Sequence, residues 1–155
     1  MEDRKFDEQS YVYVEGEAPM TDGAAIADAM GAAFGAAFQG IETHGMTPLS
    51  APMTVYTDMP GPKMTFRSGF IVSKDDAAKA SGDLKSDTLP AGDALHALHT
   101  GPYAKMSETH QTMWGEVKSR GLTPKMPVWE IYIDDPQETD EANLRTEIYH
   151  ALASG

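Results

Sequence analysis

Gly45-Met46-Thr47-Pro48 and Val55-Tyr56-Thr57-Asp58 return as Gly121-Leu122-Thr123-Pro124 and Ile131-Tyr132-Ile133-Asp134, each displaced by 76 residues with no gap between the blocks. Two copies within one chain of 155 residues imply two similar supersecondary units sharing one core. The copies differ at a telling place. Where the first has Thr54, the second has Glu130, inside the apolar run Val128-Trp129-Glu130-Ile131-Tyr132-Ile133. A carboxylate taken out of water there requires a ligand or an internal partner, of which Arg67 and Arg145 are the candidates.

Outward from these blocks, residues 10–14 read as a strand from their aromatic and β-branched content. Residues 24–43 read as a helix, because Ile26, Met30, Ala33, Phe34, Ala37, Phe38 and Ile41 recur at three- and four-residue spacing. Thr21 and Asp22 offer its N-terminal cap and Gly45 its stop. Residues 53–58 and 64–72 are two strands joined by the turn signal Met59-Pro60-Gly61-Pro62. The polar stretch 74–90 reads as the connection between copies.

The second copy repeats the order. Residues 92–100 form a strand, and Gly101-Pro102 opens a helix with the stripe Tyr103, Met106, His110, Met113, Trp114 and Val117. Strands 128–134 and 143–152 follow. The expected architecture is α+β: duplicated β-α-β-β units with pseudo-twofold symmetry, a curved antiparallel or mixed sheet, and two long helices beside a groove. One domain spans residues 1–155, with repeat one at about 6–73 and repeat two at about 91–152.

The net charge of -12 opposes binding to a phosphate backbone and would steer cations inward. There is no cysteine, hence no disulfide, thiolate nucleophile or cysteine-based metal site. The start, Met1-Glu2-Asp3-Arg4-Lys5, does not read as a signal peptide, and no apolar run is expected to reach membrane-spanning length. A cytoplasmic protein is the expectation. The five histidines lack ligand spacing, so neither a metal nor a cofactor is expected.

His99-Thr100-Gly101-Pro102-Tyr103 before a helix carrying Trp114, then Trp129-Glu130-Ile131-Tyr132, Asp134-Asp135-Pro136 and Arg145-Thr146-Glu147-Ile148, form an ordered set. It resembles the GyrI-like small-molecule-binding family, which supplies effector-binding domains to AraC-type and MerR-type multidrug-sensing regulators. The likeness is strong over residues 96–152 and loose over 6–73, where the first copy lacks Gly-Pro-Tyr. The resemblance implies a groove for apolar, often cationic, aromatic molecules, with a buried glutamate that corresponds to Glu130. With no room before residue 6 for a DNA-binding module, the chain reads as a stand-alone member.

Tyr132 shares the face of Glu130 by strand alternation, and Tyr56 occupies the equivalent position in the first copy. Both suit a groove wall or simply a half-buried strand. Trp114, like its counterpart Phe38, is a packing residue that a groove between helix and sheet would also make a wall. Tyr103, at a helix start, can reach the groove mouth. Tyr149 is recommended by the resemblance alone.

The first expectation is therefore a binding protein for a hydrophobic or cationic small molecule, acting as sensor, effector domain or sequestering protein. The alternative is a hydrolase, since the resemblance includes enzymes that open strained rings of alkylating natural products; Glu130 would then be the general base. A protein partner, as in gyrase inhibition, is the third.

Overall fold

The computed structural model describes residues 2–19, 23–57, 63–134 and 138–153. The proposed Thr21–Asp22 cap, the Met59–Pro62 turn and the Asp135-Pro136-Gln137 segment lie outside the described residues. In chain order the elements are β1 (Glu2–Phe6), β2 (Gln9–Pro19), α1 (Gly23–Thr43), β3 (Met53–Tyr56), β4 (Lys63–Ile71), α2 (Lys74–Ala77), β5 (Lys85–Leu89), β6 (Gly92–Thr100), α3 (Met106–Ser119), β7 (Pro124–Tyr132) and β8 (Arg145–Leu152). Single 3-10 turns, Tyr103–Lys105 and Glu141–Asn143, precede α3 and β8.

All eight strands join one sheet in the order β1-β6-β8-β7-β3-β4-β2-β5, and every pairing is antiparallel. The order is symmetric about its centre, where β3 and β7 meet, with β4 matching β8, β2 matching β6 and β5 matching β1. There Thr54 lies directly opposite Glu130, its own counterpart in the repeat. The Thr54-to-Glu130 difference thus sits where the two copies meet.

The repeated Gly-x-Thr-Pro blocks are helix stops. Gly45 (φ +66) and Gly121 (φ +67) both take the left-handed conformation that a C-terminal cap favours. The next amides, Met46 and Leu122, each reach back 2.9 Å to the carbonyls of Ile41 and Val117. The cap recurs atom for atom, which explains why those residues recur.

The sheet curls. Phe6 on β1 meets the Trp129 ring on β7 at 6.0 Å, although three strand spacings separate them, roughly 14 Å in a flat sheet. The concave face holds Tyr11, Tyr13, Met53, Val55, Leu89, Trp129 and Tyr149. The helices cover the other face. Ala37 and Ile41 of α1 pack with Val12 and Phe70, and Met106, Met113 and Val117 of α3 pack with Leu95 and Ile148.

Three expectations are corrected. Only one helix is long, at 21 residues against 14 for α3; Pro102 stays extended (ψ 146) as the cap of a 3-10 turn, which delays α3 to Met106. Of the antiparallel or mixed sheet expected, the structure has the antiparallel form. The order begins at Glu2 rather than residue 6, and the connection 74–90 contains α2 and the edge strand β5. Finally, α1 does reach membrane-spanning length and apolarity. In this fold its Ala33, Ala37 and Ile41 turn onto the sheet, while its other faces, rich in alanine and glycine, are largely exposed.

Candidate functional site

α1 packs on β2 and β4, and α3 on β6, so the central strands β3 and β7 lie under the seam between the helices. By alternation, Thr54 and Tyr56 of β3 and Val128, Glu130 and Tyr132 of β7 point into that seam. Glu130 is only 5% exposed. Its Oε2 accepts a 2.6 Å hydrogen bond from His110 Nε2, and its Oε1 one of 2.7 Å from the Tyr132 hydroxyl. The Tyr56 hydroxyl donates to the same Oε1 from 3.5 Å, and Tyr132 is also hydrogen-bonded to Thr54 Oγ1 at 2.9 Å.

Both phenols are held well above their ordinary pKa, first by burial and then by the Glu130 charge. They act as proton donors in hydrogen bonds, not as bases. Neither arginine proposed as an internal partner reaches the site. Arg67 binds Asp87 (2.7 Å) and Tyr11, and Arg145 forks onto Asp134 with two bonds of 3.0 Å. The partner of Glu130 is His110.

Behind His110 lies His150, fully buried on β8, with its Nε2 2.8 Å from His110 Nδ1. The Trp114 ring is 4.3 Å from the His150 ring. Among the described residues the Nδ1 of His150 has no hydrogen-bond partner. Burial, and then the proximity of His110, push the His150 pKa down to about 3.

That shift has a defined sign. The unfolded chain binds a proton at this histidine near pH 6.5, whereas the folded chain refuses it down to about pH 3. Folding stability therefore falls as pH drops below about 6.5, by up to about 1.4 kcal/mol per pH unit. His96, lowered chiefly by burial, contributes with the same sign. In urea unfolding at pH 7.5 and pH 5, the wild type should lose about 1–2 kcal/mol more than His150→Gln, which cannot titrate. Equal losses in the two proteins would refute the assignment.

Aromatic rings enclose the upper part of the cluster. Tyr132 is met edge-on by Phe34 from α1 at 5.9 Å and by a tilted Tyr103 ring from the start of the α3 segment at 5.5 Å. The structure thus gathers Glu130, Tyr132, Tyr56 and Tyr103, and brings Trp114 in through His150. It does not bring in Tyr149. One residue from His150, that side chain points to the concave face, where it stacks on Trp129 at 5.1 Å and meets Phe6 at 5.2 Å.

His110, His150, Thr54 and Phe34 were not singled out from sequence. A signal for His110 existed: it is the repeat counterpart of Phe34, so it differs between copies as Glu130 does. Two shallow depressions lie away from the cluster. One of about 340 Å³ is lined by Ala97, Leu98, Glu108, Thr109 and Thr112, the other of about 190 Å³ by Glu15, Thr57, Thr65, Phe66 and Arg67. Glu130 lines neither. Among the described residues no group of three or more His, Cys, Asp or Glu side chains has an arrangement able to hold a metal ion.

With this geometry in hand, the sequence matches the family described as GyrI-like small molecule binding domain over residues 2–153. The chain belongs to that family. No curated protein is similar enough in sequence to match. Among solved structures the chain resembles the EcmrR C-terminal domain (TM-score 0.77, 20% identity, covering 99% of this chain and 97% of that one). It also resembles EcmrR within a DNA complex (TM-score 0.80, 18% identity), where it covers 99% of its own length but 57% of that chain. SAV2435 bound to tetraphenylphosphonium is similar at TM-score 0.67 and 14% identity, with 99% of this chain and 93% of that one covered. A hydrolase from Listeria innocua is similar at TM-score 0.65 and 15% identity, with 98% and 91% covered. At such identities the likeness is one of fold.

Proposed function

We propose that the chain binds an apolar, cationic aromatic small molecule in the seam between α1 and α3, with the charged group against Glu130. The observation that carries this reading is a buried carboxylate served by tyrosine and histidine and, among the described residues, by no arginine or lysine. A buried acid paired to a permanent internal cation would be structural. One held by tyrosine hydroxyls and a movable imidazole retains a use for an incoming charge. Phe34, Tyr103 and Tyr132 supply aromatic faces, each worth about 0.5–2 kcal/mol to a nearby cation. The chain's net charge of -12 draws cations toward it. Family membership and the tetraphenylphosphonium bound to SAV2435 point the same way.

The role would be that of an effector-binding or sequestering domain. The test is a crystal structure with a lipophilic aromatic cation carrying a heavy atom. The charged centre should lie within about 5 Å of the Glu130 carboxylate, a distance at which unit charges still attract strongly in a poorly solvated site. Density on the Trp129–Tyr149 side of the sheet would refute the placement.

One observation favours a second reading, hydrolysis. The Glu130–His110 contact, with two phenolic hydroxyls beside it, has the parts of a general base and a proton donor. Glu130 would take a proton from an attacking water while Tyr132 or Tyr56 steadied the leaving atom. Product accumulating over many turnovers would establish that reading, and stoichiometric binding without product would remove it.

A further inference from the structure

We infer that His110 is a built-in plug on Glu130, standing where the ligand's cationic group goes, and that the ligand is accordingly a flat cation bearing an N–H. The inference rests on the binding role proposed above and specifies its ligand class and its control.

The repeat supplies the first argument. Position 110 corresponds to Phe34 and position 130 to Thr54, and these two replacements, an imidazole for a plain ring and a carboxylate for a hydroxyl, touch each other. Phe34 packs on Tyr132 with no hydrogen bond needed, which shows that this helix position fits the seam with a plain ring. Histidine at 110 is therefore matched to the carboxylate, not to the packing.

Placement supplies the second. The His110 side chain is 20% exposed and that of Glu130 6%, so the imidazole stands on the solvent side of the acid. The depressions around Ala97 and around Glu15 do not reach the carboxylate. A ligand entering past His110 meets the imidazole before the carboxylate and must move it aside.

The hydrogen bonds supply the third. Displacing His110 strips Oε2 of its 2.6 Å donor and leaves Oε1 with Tyr132 and Tyr56. A buried carboxylate oxygen left without a donor is costly, so the incoming group must bring an N–H of its own. The ring that leaves is planar and lies at 17° to the His150 ring, so the space it vacates is slab-shaped. Flat N–H cations such as protonated heteroaromatic amines fit both demands. A cation of the same size with every nitrogen alkylated meets only the charge.

The experiment is calorimetric titration of 9-aminoacridinium and 10-methylacridinium, flat cations of similar size, into the wild type, His110→Ala and His110→Phe at one pH. The phenylalanine variant restores the repeat-one residue and guards against a collapsed alanine site. The wild type should bind the N–H cation about tenfold more tightly than the methylated one, the scale of one hydrogen bond to a charged group. Removing the plug should tighten both by about tenfold, as expected if the open state is a minor one. If the wild type binds both cations and neither variant binds more tightly, the plug is refuted while the binding reading stands. If no protein binds either cation, the binding reading fails and the plug with it.

Discussion

Gly69→Ala is expected to destabilise the fold by about 3–5 kcal/mol, the largest loss anticipated from adding one methyl group. Gly69 lies on β4 between Tyr13 of β2 and Met53 of β3. A β-carbon there would meet the Tyr13 Cα at 2.8 Å and would approach the Val12 carbonyl oxygen more closely still. Those atoms belong to backbone, which cannot rotate away as a side chain would. Either the β2–β4 ladder opens or the strand shifts, and β4 carries the neighbour that positions Thr54 and Tyr56. Glycine inside a strand often marks such a close approach. Urea unfolding measures the effect directly. A loss below about 1 kcal/mol would mean that the strands separate at little cost and that the tight packing is not what holds the centre of the sheet.

The same feature shows why parts of the fold were legible and others were not. The helix stops at Gly45 and Gly121 could be read because a positive φ selects glycine and the repeat named both. The central strands, buried on both faces, could be read because their β-branched and aromatic residues stand in runs bounded by turn residues. β1 (Glu2-Asp3-Arg4-Lys5-Phe6) and β5 (Lys85-Ser86-Asp87-Thr88-Leu89) escaped notice because edge strands here are exposed on most positions, leaving no alternation to see. Their charged composition, which protects an unpaired edge, is the composition of a loop.

The site divides in the same way. Glu130, Tyr132 and Tyr56 were recognisable because an acid in an apolar strand must be answered by something, and strand period places the tyrosines beside it. His110 was not, since a histidine on an apolar helical stripe reads equally as packing until the sheet register brings Glu130 beneath it. Tyr149 faces the other way for the simplest of reasons: it is one residue out of phase with Ile148 and His150, which face the helices.

The Glu130→Gln variant carries the second large effect. Glutamine preserves the size and one acceptor oxygen, so Tyr132 keeps its partner, but the negative charge is gone. A cation seated against the carboxylate loses its counter-charge in a site where little water remains to replace it. The expected loss is at least tenfold in affinity, about 1.4 kcal/mol. A neutral analogue of the same shape uses the Phe34, Tyr103 and Tyr132 rings alone and should bind both proteins alike. The most direct measurement is therefore calorimetric titration of one aromatic cation and its neutral isostere into wild type and Glu130→Gln. A loss of at least tenfold for the cation, with none for the isostere, is the result this account predicts. Equal binding of the cation by both proteins would contradict it and leave Glu130 as a structural anchor for His110 and Tyr132.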